Sequence, residues 1–123
     1  MIIGVGIDIC PIDRIGDVLK RHGDAFMNRV YTRSEQDYAE GKIKNDRLAA
    51  RWAAKEATIK ALGAPEGLSW QDIAIENDES GAPRLTLSGA AKTHADTIGV
   101  THTLVSMTHA GGQAVAVVIL EGR

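Results

Sequence analysis

The run Asp46-Arg47-Leu48-Ala49-Ala50-Arg51-Trp52-Ala53-Ala54-Lys55-Glu56-Ala57-Thr58-Ile59-Lys60-Ala61-Leu62-Gly63 decides how the rest of the chain is read. At 100° per residue, Leu48, Trp52, Ile59 and Leu62 line up as one stripe. Ala50, Ala54, Ala57 and Ala61 coat much of the opposite face. A helix apolar on nearly all sides belongs in the interior, so other elements have to cover it. Gly63 stands where a helix C-terminal stop is favoured.

Toward the N-terminus, Ile2–Ile9 alternate with strand periodicity. Ile3, Val5, Ile7 and Ile9 fall on one face and Ile2, Gly4, Gly6 and Asp8 on the other. Two glycines on one face leave room for a close neighbour. Asp13 is placed to cap a helix over residues 14–21, which His22-Gly23 ends. A further turn follows around residues 26–30. Thr32-Arg33-Ser34-Glu35 fits a capping box, which predicts a third helix that stops at Gly41.

Toward the C-terminus, strands are predicted over residues 70–76 and 84–87, with a turn through 77–81 between them. Ser88 is placed to cap a helix running to Thr97. Residues 103–109 and 113–120 read as a hairpin joined by Ala110-Gly111-Gly112. The order β-α-α-α-α-β-β-α-β-β predicts an α+β fold with a largely antiparallel sheet packed with helices.

The 123 residues have room for one domain, 1–123, on a prior of roughly 100–200 residues per domain. A formal net charge of −2 argues against nucleic-acid binding through bulk positive charge. The lone Cys10 excludes an intrachain disulfide and reads as a small core residue. Met1–Gly6 lack a signal-peptide pattern, and no apolar run reaches the ~20 residues needed to span a bilayer. A reducing cytoplasm is therefore the expected compartment, with neither a nucleic acid nor a membrane as partner. Only five residues are aromatic (two Trp, two Tyr, one Phe). The core must be built from aliphatic residues, and a partner surface is expected to complete it.

Several residues fit such a core poorly. Asp8 lies within a strand, where Asp is disfavoured. It either caps the next turn or is a carboxylate held on the glycine-cleared face for a ligand or metal. Lys55 falls inside the apolar stripe, where it must snorkel out or meet an anion. Glu56 and Lys60 have the spacing of a surface ion pair. Together with Arg51 and Lys55 they also suit a magnesium-bound anionic substrate such as a pyrophosphate. His109 is either a turn histidine or an anion contact. Phosphate-loop, dinucleotide and serine-nucleophile motifs are absent.

Gly6-Ile7-Asp8-Ile9-Cys10-Pro11-Ile12-Asp13-Arg14-Ile15, the block from Phe26 to Glu35, and the block from Arg51 to Gly63 resemble, in order, the motifs of the small bacterial 4′-phosphopantetheinyl transferases, the holo-acyl-carrier-protein synthase type. Gly81-Ala82-Pro83 and Val105–His109 match two weaker blocks. The resemblance covers essentially the whole chain. It implies transfer of the 4′-phosphopantetheine arm of coenzyme A to a serine of apo-acyl carrier protein, in fatty acid biosynthesis, with 3′,5′-ADP as leaving group. By the same resemblance Asp8 and Glu56 hold Mg²⁺, and Lys60 neutralises the transferring phosphoryl group. Arg51 and Lys55 hold coenzyme A phosphates. Ser106, Thr108 and His109 line the nucleotide pocket, and Gly81 and Pro83 lie against the adenine. Arg14, Val18 and Arg21 dock the acidic carrier.

The serine proton is assigned to Glu56 or to a water on the metal, which the sequence does not separate. A homotrimer with interfacial active sites is implied as well. Trp52, Ala82 and Gly111-Gly112 depart from the usual residues of the family without touching the metal pair. The competing reading is a non-catalytic coenzyme A or carrier-protein binding module on the same fold.

Overall fold

A computed structural model describes all 123 residues. The elements are β1 (Ile2–Pro11), α1 (Ile12–Val30), α2 (Arg33–Ala39), α3 (Lys44–Ala61), β2 (Ile73–Asn77), β3 (Pro83–Leu87), α4 (Gly89–Thr97), β4 (Val100–Ala110) and β5 (Gln113–Gly122). The α+β expectation holds. Every strand pair is antiparallel, in a three-stranded sheet ordered β1-β5-β4 and a separate two-stranded sheet of β2 and β3.

Helix α3 is the centre of the molecule. Leu48, Ala49, Ala53, Ala54 and Ala57 have no solvent exposure. Its closest neighbour is β1. A Cβ on Gly4 would lie 2.0 Å from the Ala61 carbonyl oxygen, and one on Gly6 would lie 1.8 Å from that of Ala57. The two glycines clear the β1 face so that the helix backbone sits directly on it.

The outer face of β1 is different. Val5, Ile7 and Ile9 are each more than half exposed. Ile3 departs from the predicted alternation because the register with β5 shifts between Ile2 and Gly4, and it packs against the core. Across the outer face, Val5 pairs with Ile119, Ile7 with Val117 and Ile9 with Val115. On the other side of β5, Leu104 pairs with Ile119.

Four of the predicted local details differ. Pro11, not Asp13, occupies the N-cap of α1, and Asp13 lies in the first turn. The predicted break at His22-Gly23 is a kink inside α1, where Gly23 adopts φ 50° and ψ −125°. Residues 70–72 form a 3₁₀ turn rather than strand, because the Ser69 hydroxyl accepts a bond from the Gln71 amide. Ser88 makes no capping bond at α4. The Asp72 carboxylate reaches across instead and accepts from the Ala90 amide at 3.2 Å. The capping box at α2 is present, with Thr32 and Glu35 each accepting from the other's backbone amide.

The few aromatic residues are concentrated. Phe26, Trp52 and Trp70 stack in series, with ring centroids 5.9 and 4.7 Å apart, and Tyr31 meets Phe26 edge-on. This cluster ties α1 and the 3₁₀ turn to α3. The Tyr31 hydroxyl also donates to the Leu48 carbonyl at 2.8 Å.

Candidate active site

Asp8 is carried by the glycine-cleared face of β1, between Gly6 and Cys10, and so faces α3. The same close approach brings Glu56 and Lys60 of α3 to it. Lys60 Nζ donates to Asp8 Oδ1 at 3.1 Å and to the Ile7 carbonyl at 2.9 Å. The predicted Glu56–Lys60 helix pair is not formed; Lys60 crosses to the strand instead. Burial raises the Glu56 carboxyl above its ordinary value of 4.5. The Asp8 charge adds to the rise, and Lys60 partly offsets it. Two carboxylates near enough to feel each other's charge, with one ammonium bonded to Asp8, form a site short of positive charge.

The carboxylate pair fits a small hard cation in its chemistry. It offers oxygen donors only, and two of them leave positions free for water and for substrate phosphates, which is how Mg²⁺ is usually held. No group of three or more His, Cys, Asp or Glu side chains surrounds the pair. A shallow apolar hollow of about 340 Å³ lies beside it, lined by Ile7, Asp8, Ile9, Lys60 and Val115.

A second cleft of about 190 Å³ contains Tyr38, Arg47, Arg51, Thr108 and His109. Arg51 is almost fully buried, and its Nη2 donates to Asn77 Oδ1 at 2.5 Å. The Asn77 amide in turn donates to the Gly81 carbonyl at 2.9 Å, so the Gly81–Pro83 turn is tethered to Arg51. Asp78 organises that turn, accepting from the amides of Ser80 and Ala82 and from Arg84 Nε. These donors pull its carboxyl down to about 2, the Ser80 hydroxyl contributing most. His109 Nδ1 lies 3.5 Å from Asp46 Oδ2.

The predicted site residues separate into groups. Asp8, Glu56 and Lys60 come together, as do Arg51, Thr108 and His109. Pro83 lines a different cleft, with Ala82, Arg84 and Leu104, and Gly81 sits at its turn with φ +88°. Ser106 lies apart from Thr108 and His109, in a shallow depression on the outer sheet face with Leu104, Val117 and Ile119. Arg14 and Arg21 are exposed on α1, and Val18 is half-buried.

The assignment of Lys55 to a coenzyme A phosphate is overturned. Its side chain has no exposure, and Nζ pairs with Glu35 Oε1 at 2.9 Å. It also donates to the carbonyls of Trp70 and Ile73. An ammonium whose three protons are all placed inside the core has none to offer a ligand. Glu35, Asn77 and Arg47 escaped the sequence reading as site residues. Glu35 showed only as a capping-box residue, and its partner is 20 positions away on another helix.

A sequence model of the 4′-phosphopantetheinyl transferase superfamily matches residues 4–118. This chain belongs to that superfamily. It is 47% identical over 123 residues to the holo-[acyl-carrier-protein] synthase of Streptomyces griseus, covering 99% of this chain and 100% of the relative. The crystal structure of the Neisseria meningitidis holo-[acyl-carrier-protein] synthase superposes with a TM-score of 0.89 at 33% identity, covering 98% of this chain and 99% of that one. The Helicobacter pylori enzyme in complex with coenzyme A superposes with a TM-score of 0.84 at 35% identity, covering 95% and 99%.

Proposed function

We propose that this chain is a Mg²⁺-dependent holo-[acyl-carrier-protein] synthase. It transfers the 4′-phosphopantetheine arm of coenzyme A to a serine of apo-acyl carrier protein. The observation that carries the reading is the meeting of Asp8 on β1 with Glu56 and Lys60 on α3. The family membership and the coenzyme A complex of a relative support the choice of substrate.

In the reaction the serine oxygen bonds to the phosphorus that carries the pantetheine arm, and its proton passes to Glu56 or to water. The pyrophosphate P–O bond breaks, and 3′,5′-ADP leaves. Asp8 and Glu56 would hold Mg²⁺, which would supply charge neutralisation to the pyrophosphate. Lys60, half exposed and anchored on Asp8, adds a mobile positive charge at the transferring phosphoryl group. The cleft with Arg51, Thr108 and His109 receives the nucleotide phosphates, and the turn at Gly81 and Pro83 the adenine. Arg14, Val18 and Arg21 on α1 present a basic and partly apolar ridge to the acidic carrier, which favours fast, salt-sensitive docking.

The outer sheet face supports a homotrimer. Val5, Ile7, Ile9 and Leu104 form an exposed apolar surface of the kind that marks an interface. Packing it against neighbours would bring Ser106 and the pocket at Pro83 to the subunit boundary. The working unit is then a single domain, 1–123, repeated around an axis. No helix is long and apolar enough to cross a membrane, which is consistent with a cytoplasmic enzyme of fatty acid biosynthesis.

Incubation with apo-carrier protein, coenzyme A and Mg²⁺, followed by intact mass measurement, tests the reading. The carrier gains the phosphopantetheine mass with wild-type protein. It gains none with Asp8→Ala, with Glu56→Ala, or with a chelator present. A gain that persists with chelator refutes the metal assignment. Arg14→Glu slows transfer while leaving coenzyme A binding in place; parallel loss of both removes the docking assignment.

A further inference from the structure

Helix α3 is gripped from two sides. On the sheet side, its carbonyls at Ala57 and Ala61 press on Gly6 and Gly4 of β1. On the opposite side Lys55 reaches into a closed polar nest. Its ammonium donates to Glu35 Oε1 at 2.9 Å, to the Trp70 carbonyl at 3.0 Å and to the Ile73 carbonyl. The Glu35 carboxylate is equally committed. Oε1 also accepts from the Thr32 amide at 2.8 Å, and Oε2 accepts from the Ile75 amide at 2.8 Å. Both side chains are buried, at 0% and 1% exposure. One ion pair thus joins the start of α2, the middle of α3, the 3₁₀ turn and β2.

Stability alone gives little reason for this arrangement. A buried ion pair generally contributes no more than well-packed apolar residues of the same volume. Its value is directional. Lys55 and Glu56 are consecutive, so they point about 100° apart around the helix axis. Wherever Lys55 is held, Glu56 is aimed. A rotation of α3 by about 20° would sweep a side chain at a radius of about 6 Å through about 2 Å. A misplacement of about 1 Å already costs an enzyme about 100-fold in rate.

We infer that Glu35 and Lys55 are positioning residues, whose buried ion pair fixes the rotation of α3 at which Glu56 and Lys60 meet Asp8. The inference rests on the reading of Asp8 and Glu56 as the Mg²⁺ site. It assigns to Lys55 no contact with coenzyme A, and to Glu35 a role beyond capping α2.

The test uses the neutral double variant Glu35→Gln/Lys55→Met, which removes both charges and leaves neither unpaired. A second variant, Glu35→Asp, keeps the charges and shortens one arm. Folded fraction is read by circular dichroism, Mg²⁺ binding to the free protein by calorimetry, and kcat and KM by the transfer assay. The expected result is a folded protein with Mg²⁺ binding weakened at least about tenfold and kcat lowered by a similar factor or more, with KM for coenzyme A rising as well because Arg51 turns with the same helix. Glu35→Asp gives a smaller shift in the same direction, partly restored by excess Mg²⁺. Wild-type Mg²⁺ affinity and kcat in the folded double variant overturn the inference. So does a kcat loss that tracks the unfolded fraction alone. If the double variant does not fold, Glu35→Asp decides on the same measurements. Absence of Mg²⁺ binding to wild-type protein overturns the metal site itself, and the inference with it.

Discussion

The two faces of β1 are made from the same ten residues and do opposite things. The inner face is Gly4, Gly6, Asp8 and Cys10. It is closed by α3 at backbone distance and carries the one carboxylate of the strand. The outer face is Val5, Ile7 and Ile9, large, apolar and open to solvent. In a strand whose two faces ordinarily divide into apolar-in and polar-out, the apolar set points out. The inner face has been emptied of side chains so that a helix can bring its carboxylate to Asp8. The large apolar side chains of β1 are left on the outside, where the proposed trimer would bury them. The candidate site and the proposed interface thus share one strand.

The largest test of this contrast is a methyl group on the inner face. Gly6→Ala puts a Cβ 1.8 Å from the Ala57 carbonyl. Helix and strand must separate, costing about 3 kcal/mol of stability and abolishing transfer activity, as chemical denaturation and the mass assay would record. A normal midpoint with normal activity would mean that the close packing does not set the site.

On the outer face the prediction reverses. Ile7→Asp leaves the fold of the subunit intact by circular dichroism, because Ile7 is 61% exposed within one chain. It disrupts the proposed trimer in sedimentation velocity and lowers activity at least about tenfold through loss of the residues that interface would supply. A monomeric wild-type protein at full activity would break the link between face and function.

A smaller effect separates charge from packing within the inner face. The Glu56 pKa is raised in the folded state, so its favourable contribution is present below the unfolded value and is lost as pH rises through the folded value. The metal-free folded protein therefore carries a cost that grows as pH rises and Glu56 ionises. Glu56→Gln should stabilise the metal-free protein at pH 7, by less than about 1 kcal/mol given its partial exposure, seen as a small rise in thermal midpoint, and should matter less near pH 4. Added Mg²⁺ should stabilise wild type and not the variant. Equal stabilisation of both by Mg²⁺ would place the ion elsewhere.

Much of the scaffold was legible because its signals are local. The capping box at Thr32 and Glu35, the glycine stop at Gly63, the hairpin turn at Gly111-Gly112 and the all-round apolar helix each depend on residues a few positions apart. The cleared face at Gly4 and Gly6 was also legible, although not the identity of its occupant. What was not legible was the bonding partner of three polar side chains. Lys55 had an anion to meet, as expected, but it was Glu35 in the core and not a phosphate. Lys60 left its helical neighbour for Asp8. Ser88 was displaced as a cap by Asp72. In each case the partner lies far away in sequence, and for Lys55, with no exposure, burial makes that partner compulsory.

The sequence by itself determined most of the helices and strands, that α3 is interior, and that Asp8 and Lys55 are polar residues its pattern leaves to be explained. Period, capping chemistry and the absence of side chains at two glycines are properties of neighbouring residues, and need no fold to be read. Only the tertiary structure decided that Lys55 is sealed away, that Arg51 is tied through Asn77 to the Gly81 turn, and that the apolar face of β1 is the exposed one. Those outcomes depend on which desolvated charge finds which acceptor across the core. That is settled when the elements pack, and not before.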